Sequence, residues 1–166
     1  MTSEDSAKIK PIDPLESASR TLDAEIAGLA KLKSSLSNDF VTSVEMLAGV
    51  NGRIIISGMG KSGHIGRKIA ATLASTGTPA QFVHPGEASH GDLGMITAQD
   101  IVIGLSWSGE TPELANLLAY VKRFKIPLIA ITSNAESALG LAPRICLTLP
   151  TAEAACPYAL APPTSP

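Results

Sequence analysis

From Pro14 onward the apolar residues recur at helical steps: Leu15, Ala18, Leu22, Ile26, Leu29, Leu32 and Leu36. Asp13 is placed to cap that helix, and Pro14 suits its first position. Phe40, Val44 and Leu47 extend the apolar set to a stop at "GVNG", which predicts a helical segment over about 14–48. Such a segment is either a flap on the core or a dimerisation helix. After Gly52 the period changes. The runs "RIIIS", "AQFVH", "DIVIGLS", "PLIAITS" and "RICLTL" predict five strands, separated by helices at about Ser62–Ser75, after "WSGETPELANLLAYVKRF" opens, and near Glu136–Leu141. These strands are continuously apolar rather than alternating, the mark of a parallel sheet covered on both faces. The expected architecture is a doubly wound α/β sandwich of about five parallel strands flanked by helices. It occupies residues 13–166, behind a polar, frayed segment at 1–12.

Sheets of this kind bind ligands beyond the carboxyl ends of their strands, near the point where strand order reverses. The loops due there are Gly58–Ser62, Pro85–Met95, Ser106–Thr111, and Ser133 with Asn134. The first carries "GMGKSGHIG", three glycines with a lysine and a serine at a strand-to-helix junction, which points to an anion. A dinucleotide site would close the second strand with an acid, but Val83, His84 and Pro85 stand there. A triphosphate loop would need a glycine five positions before Gly60, where Ile55 lies inside the strand. The third loop, "SWSGET", sets Ser106, Ser108 and Thr111 around Gly109 at a helix start. Three hydroxyls and free N–H groups suit a dianionic phosphate, with Ser62 as a further donor. The plainer alternative is that these hydroxyls only cap a helix.

Composition narrows the partners. With 166 residues, a formal net charge of −2 and 4% aromatics, the chain offers neither a basic field nor stacking platforms for nucleic acid. No apolar stretch is long enough to span a membrane, and the first residues carry no signal-peptide pattern, so a cytoplasmic protein is expected. Cys146 and Cys156 fit reduced thiols rather than a disulfide framework.

"GMGKSGHIGRKIAATLASTGTPAQFVHPGEASHGDLGMI", "SGET" and "ACPYALAP" together resemble the sugar isomerase (SIS) domain of D-arabinose-5-phosphate isomerases, over about Pro14–Leu160. The resemblance implies a homo-oligomer with active sites between subunits, interconverting D-ribulose 5-phosphate and D-arabinose 5-phosphate on the route to the eight-carbon acid Kdo. It places Lys61, His90 and Glu113 among active-site residues. Moving a carbonyl between C1 and C2 proceeds through an enediol, and needs a base, an acid and a donor for the oxyanion. Lys61 suits the oxyanion or the phosphate, and His90 suits a proton shuttle or ring opening. Glu113 sits in a first helical turn, where an acid is also ordinary. His64 falls inside a helix, and His84 precedes Pro85 at a strand end. The three histidines lack metal-ligand spacing, so neither a metal nor another cofactor is expected.

Three departures from the family pattern stand out. Trp107 occupies a place where relatives carry a small polar residue. Ala154 stands where a glutamate precedes the Cys-Pro pair, with Glu153 one step earlier as the candidate for its role. The chain ends at Pro166, so the family's later histidine, its helix and its pair of small regulatory (CBS) domains are expected to be missing. A sugar-phosphate isomerase, impaired by that truncation, is the leading expectation. A non-catalytic sugar-phosphate sensor is the alternative.

Overall fold

The computed structural model describes residues 13–151. The expected helical segment is two helices, α1 (Pro14–Ser35) and α2 (Asn38–Ala48). Asp13 caps α1 by accepting the Leu15 N–H at 3.0 Å. The break comes at Leu36, which is extended, and at Ser37, whose hydroxyl accepts the Asp39 N–H at 3.2 Å and restarts the helix.

A second difference concerns what α1 buries. Its short side chains, Ser17, Thr21, Ala24 and Gly28, together with Leu32, form the half-buried side, and Gly28 is its one fully buried residue. The large apolar stripe faces outward: Leu15 is 81% exposed and Leu22, Ile26, Leu29 and Leu36 are 54–64% exposed. The stripe does not form a flap on the core of its own chain.

The sheet follows the expectation closely. Strands β1 (Ile54–Gly58), β2 (Ala80–Phe82), β3 (Ile101–Leu105), β4 (Leu128–Thr132) and β5 (Ile145–Thr148) are all parallel, in the order β2-β1-β3-β4-β5. Both β1 and β3 are buried along their whole length, which explains why they read as unbroken apolar runs. Ile55 and Val102 face one layer, with Leu114, Leu117 and Val121. Ile54, Ile56, Ile103 and Leu105 face the other, with Ala70. The second layer is α3 (Gly60–Ser75) with α2, which packs on β5. The first is α4 (Pro85–Ala88), α5 (Ala115–Phe124) and α6 (Ala138–Leu141). Helix α3 starts two residues earlier than expected, and a 3-10 turn, Pro112–Leu114, precedes α5.

The amino edge of the sheet is closed by an ion pair. Asp100, 2% exposed, accepts the Arg53 N–H at 2.7 Å, the Arg53 guanidinium at 3.3 Å, the Thr97 N–H at 2.7 Å and the Thr97 hydroxyl at 3.1 Å. Arg53 also donates to the Met95 carbonyl at 2.6 Å and to Gln81 at 3.1 Å, which ties β1, β2 and the approach to β3 together. Burial pushes the Asp100 carboxyl up, but the Thr97 and Arg53 N–H groups, the guanidinium and the Thr97 hydroxyl outweigh it and hold the group below its ordinary value. A depressed carboxylate stabilises the fold fully above the unfolded-chain value of about 4, and the benefit is lost as pH falls through the lower folded value. Asp100→Ala therefore costs about 2–4 kcal/mol at neutral pH by leaving buried donors unpaired. In urea titrations the gap between wild type and Asp100→Asn narrows as pH drops from 7 toward about 3. A gap that does not change with pH contradicts this assignment.

Candidate active site

Order in the sheet reverses between β1 and β3, which pair in register from Ile54 with Ile101 to Gly58 with Leu105. One connection from this pair runs outward through α3 to β2, and the other through α5 to β4. The loops after Gly58 and Leu105 therefore leave the sheet side by side, at the place where sheets of this kind receive ligands.

The glycines of the first loop serve close packing. A Cβ on Gly63 would stand 2.7 Å from the Gly58 carbonyl oxygen, and one on Gly58 would stand 2.9 Å from the Leu105 carbonyl oxygen. The first turn of α3 is thereby pressed onto the end of β1. Ser62 is held there, 8% exposed, while Lys61 and His64 are exposed. Below the loop, Ser57 has a fully buried hydroxyl with no hydrogen-bond partner. Sequence reasoning passed over it, because a serine inside an apolar strand carries no motif.

The second loop is folded on its own hydroxyls. Ser106 Oγ lies 2.7 Å from Thr111 Oγ1 and accepts the Gly109 N–H at 3.0 Å. The Ser108 hydroxyl accepts the Glu110 N–H at 3.2 Å, and Ser108 is exposed. Neither Ser106 nor Thr111 caps the 3-10 turn at Pro112, whose N-terminal residue Thr111 makes no side-chain cap bond. The loop is anchored from outside as well. The Trp107 carbonyl accepts the Ser133 N–H at 3.0 Å, the Ser133 hydroxyl at 2.7 Å and the Thr132 hydroxyl at 3.1 Å.

Glu113 lies in the 3-10 turn after this loop and is exposed, on the same edge of the sheet as Lys61. His90, also exposed, follows α4 in the connection from β2, the neighbour of β1 on its far side. Glu113, Lys61 and His90 thus come from three loops on the carboxyl edge. His84 caps α4, its Nδ1 accepting the Gly86 N–H at 3.2 Å, which is a structural duty. Glu153, with Ala154 and the "ACPYALAP" stretch, lies outside the described residues. Among the described residues no three His, Cys, Asp or Glu side chains gather to hold a metal ion. A cavity of about 600 Å³ between α5 and α6, lined partly by Lys122, Lys125 and Arg144, opens near the start of β4 and contains none of the candidate residues.

A family model described as "SIS domain" matches residues 46–165. The chain belongs to the SIS domain family. It is 52% identical over 154 residues to an arabinose 5-phosphate isomerase KdsD of Yersinia pestis and 50% identical over 154 residues to one of Pseudomonas aeruginosa. Each alignment covers 93% of this chain but 47% of the relative, so the chain spans about half the length of the curated relatives it matches. Among solved structures, a protein of E. coli CFT073 in complex with a sugar phosphate superposes with a TM-score of 0.83 at 36% identity, covering 89% of this chain and 79% of that one. The SIS fold of this chain, a five-stranded parallel sheet between helical layers, is thus established by sequence and structure together.

Gly109 makes the second loop testable. Its φ of +72° favours glycine, and a Cβ there would overlap the Ser137 hydroxyl. Gly109→Ala should cost the folded protein about 1–3 kcal/mol in urea titrations. Unchanged stability would show that the loop yields around the added Cβ.

Proposed function

We propose that this chain is the isomerase domain of an aldose–ketose isomerase that interconverts D-ribulose 5-phosphate and D-arabinose 5-phosphate. The observation that carries the reading is the juxtaposition at the β1–β3 reversal: a hydroxyl-rich loop closed by Ser106 and Thr111 beside the helix start that bears Lys61 and Ser62. The names of the half-length matches support the substrate class, and so does the ligand of the neighbouring complex, read as arabinose 5-phosphate.

In this reading Ser62, Ser106, Ser108 and Thr111 take the phosphate, together with the N–H groups of the two loops. Ribulose 5-phosphate loses a proton from C1 while charge develops on the C2 oxygen. The enediolate is then reprotonated at C2, a proton passes from O1 to O2, and an aldehyde remains at C1. Lys61 stabilises the oxyanion, Glu113 serves as the base, and His90 moves the oxygen proton. Glu153 is retained as a candidate fourth member on the resemblance alone.

Lys61, His90 and Glu113 are all exposed in the single chain, whereas enediolate chemistry gains from the exclusion of water. We infer that a second copy completes the cover through the outward apolar stripe of α1. Exposed large apolar residues spaced along one helix, Leu15, Leu22, Ile26 and Leu29, support an interaction site there. A phosphorylated pentose as substrate supports a cytoplasmic location. Among the described residues no helix is long and apolar enough to cross a membrane.

Purified protein incubated with ribulose 5-phosphate should yield arabinose 5-phosphate, and Lys61→Ala should lower kcat/KM by about 100-fold. Binding without turnover would favour a sugar-phosphate sensor. Binding of neither sugar would end the proposal. Leu22→Glu with Ile26→Glu should reduce the mass seen by light scattering to that of one chain and depress turnover with it. An unaltered mass would exclude α1 as the interface.

A further inference from the structure

The 106–111 loop contains an apparent contradiction. Glu110 puts a carboxylate among the hydroxyls and N–H groups that are read above as the seat of a dianion. Facing the ligand, it would repel the phosphate it helps to surround. Its contacts show where the charge goes. One carboxylate oxygen, Oε1, accepts the N–H of Ala138, 28 residues away, at 2.9 Å. The next residue, Leu139, donates its N–H to the Gly109 carbonyl at 3.0 Å. Two consecutive residues of the loop are thus laced to two consecutive residues at the start of α6.

Glu110 and Ala138 are themselves exposed, but the residues beside them, Gly109 and Leu139, are buried. Leu139 is completely buried in the core layer under α5, so the backbone that receives the loop is fixed by packing. Gly109 rests against the side chains of Ser137 and Thr132, with no room for a Cβ. At the other end of the loop the Trp107 carbonyl takes its three donors from Thr132 and Ser133. The segment 132–139 therefore grips the loop at Trp107, Gly109 and Glu110, and Glu110 is the sole side chain of the loop in that grip. Ser106, Ser108 and Thr111 make their hydrogen bonds within the loop.

We propose that Glu110 is a positioning residue for the phosphate loop: its bond to the Ala138 N–H holds residues 106–111 in their anion-receiving shape and keeps its charge turned away from the bound monoester. The inference rests on the phosphate-binding reading of this loop and adds a residue to it. Glu110 acts through the loop and takes no part in proton transfer. What the bond requires is an acceptor oxygen at the right reach, and a glutamine has one.

Glu110→Ala and Glu110→Gln distinguish this role from others. In the full chain, Glu110→Ala should raise the dissociation constant for arabinose 5-phosphate and the KM for ribulose 5-phosphate by about tenfold, the loss of a hydrogen bond to a charged group. In the same variant kcat should stay within about threefold of wild type. Glu110→Gln should restore both constants to within about threefold, and the Ala138 amide should exchange with deuterium faster in Glu110→Ala only. Equal weakening in both variants would assign the effect to charge and overturn the proposal. So would a fall in kcat at constant KM, or an Ala variant that binds like wild type. Wild-type protein that binds no sugar phosphate would instead sink the functional reading itself, whatever the variants do.

Discussion

The pairing of β1 with β3 governs most of what this molecule can do. Residues 54–58 and 101–105 lie in register, and both strands are out of contact with water on each face. Apart from the Ser57 hydroxyl, every side chain along their length is apolar or glycine, so the chemistry is displaced to their ends. At the amino end Asp100 gathers its donors and closes the sheet. At the carboxyl end the two connections diverge toward opposite edges of the sheet, and the start of α3 and the hydroxyl-rich 106–111 loop leave it from neighbouring strands.

In the proposed reading, this arrangement lets a chain of formal charge −2 receive an anion. No broad positive field is needed when the donors are local and fixed before the ligand arrives. Gly58 and Gly63 bring the first helical turn onto the strand end, and the 106–111 loop is tied both internally and to the segment after β4. The freedom such a loop would otherwise lose on binding is already spent in folding.

The five strands were legible because an unbroken β-branched run such as "RIIIS" admits few other readings beside a glycine loop. The two-helix character of residues 14–48 was also written in the chain, at Ser37, but an apolar period that carries through the break concealed it. The direction in which α1 turns its leucines was not legible, since periodicity reports a face and not what covers it. In the candidate site, the serines and threonine of "SWSGET" were singled out by type and position. That Ser106 and Thr111 bond each other needed coordinates, and so did the reach of Glu110 across 28 residues, which no local pattern encodes. The solitary hydroxyl of Ser57 was invisible for the opposite reason: it lies in the part of the chain that reads most clearly as core.

Trp107 bears on how such a site can drift without being lost. The loop depends on this residue through its main-chain oxygen, on which three donors converge. A carbonyl is the same whichever side chain its residue carries. Trp107 is half-buried and lines a small cavity together with Gly28, Leu29 and Leu32 of α1, a setting independent of the duty of its carbonyl. Because the scaffold reads this position through its backbone oxygen, a side chain of another size or polarity there leaves the hold of the three donors intact.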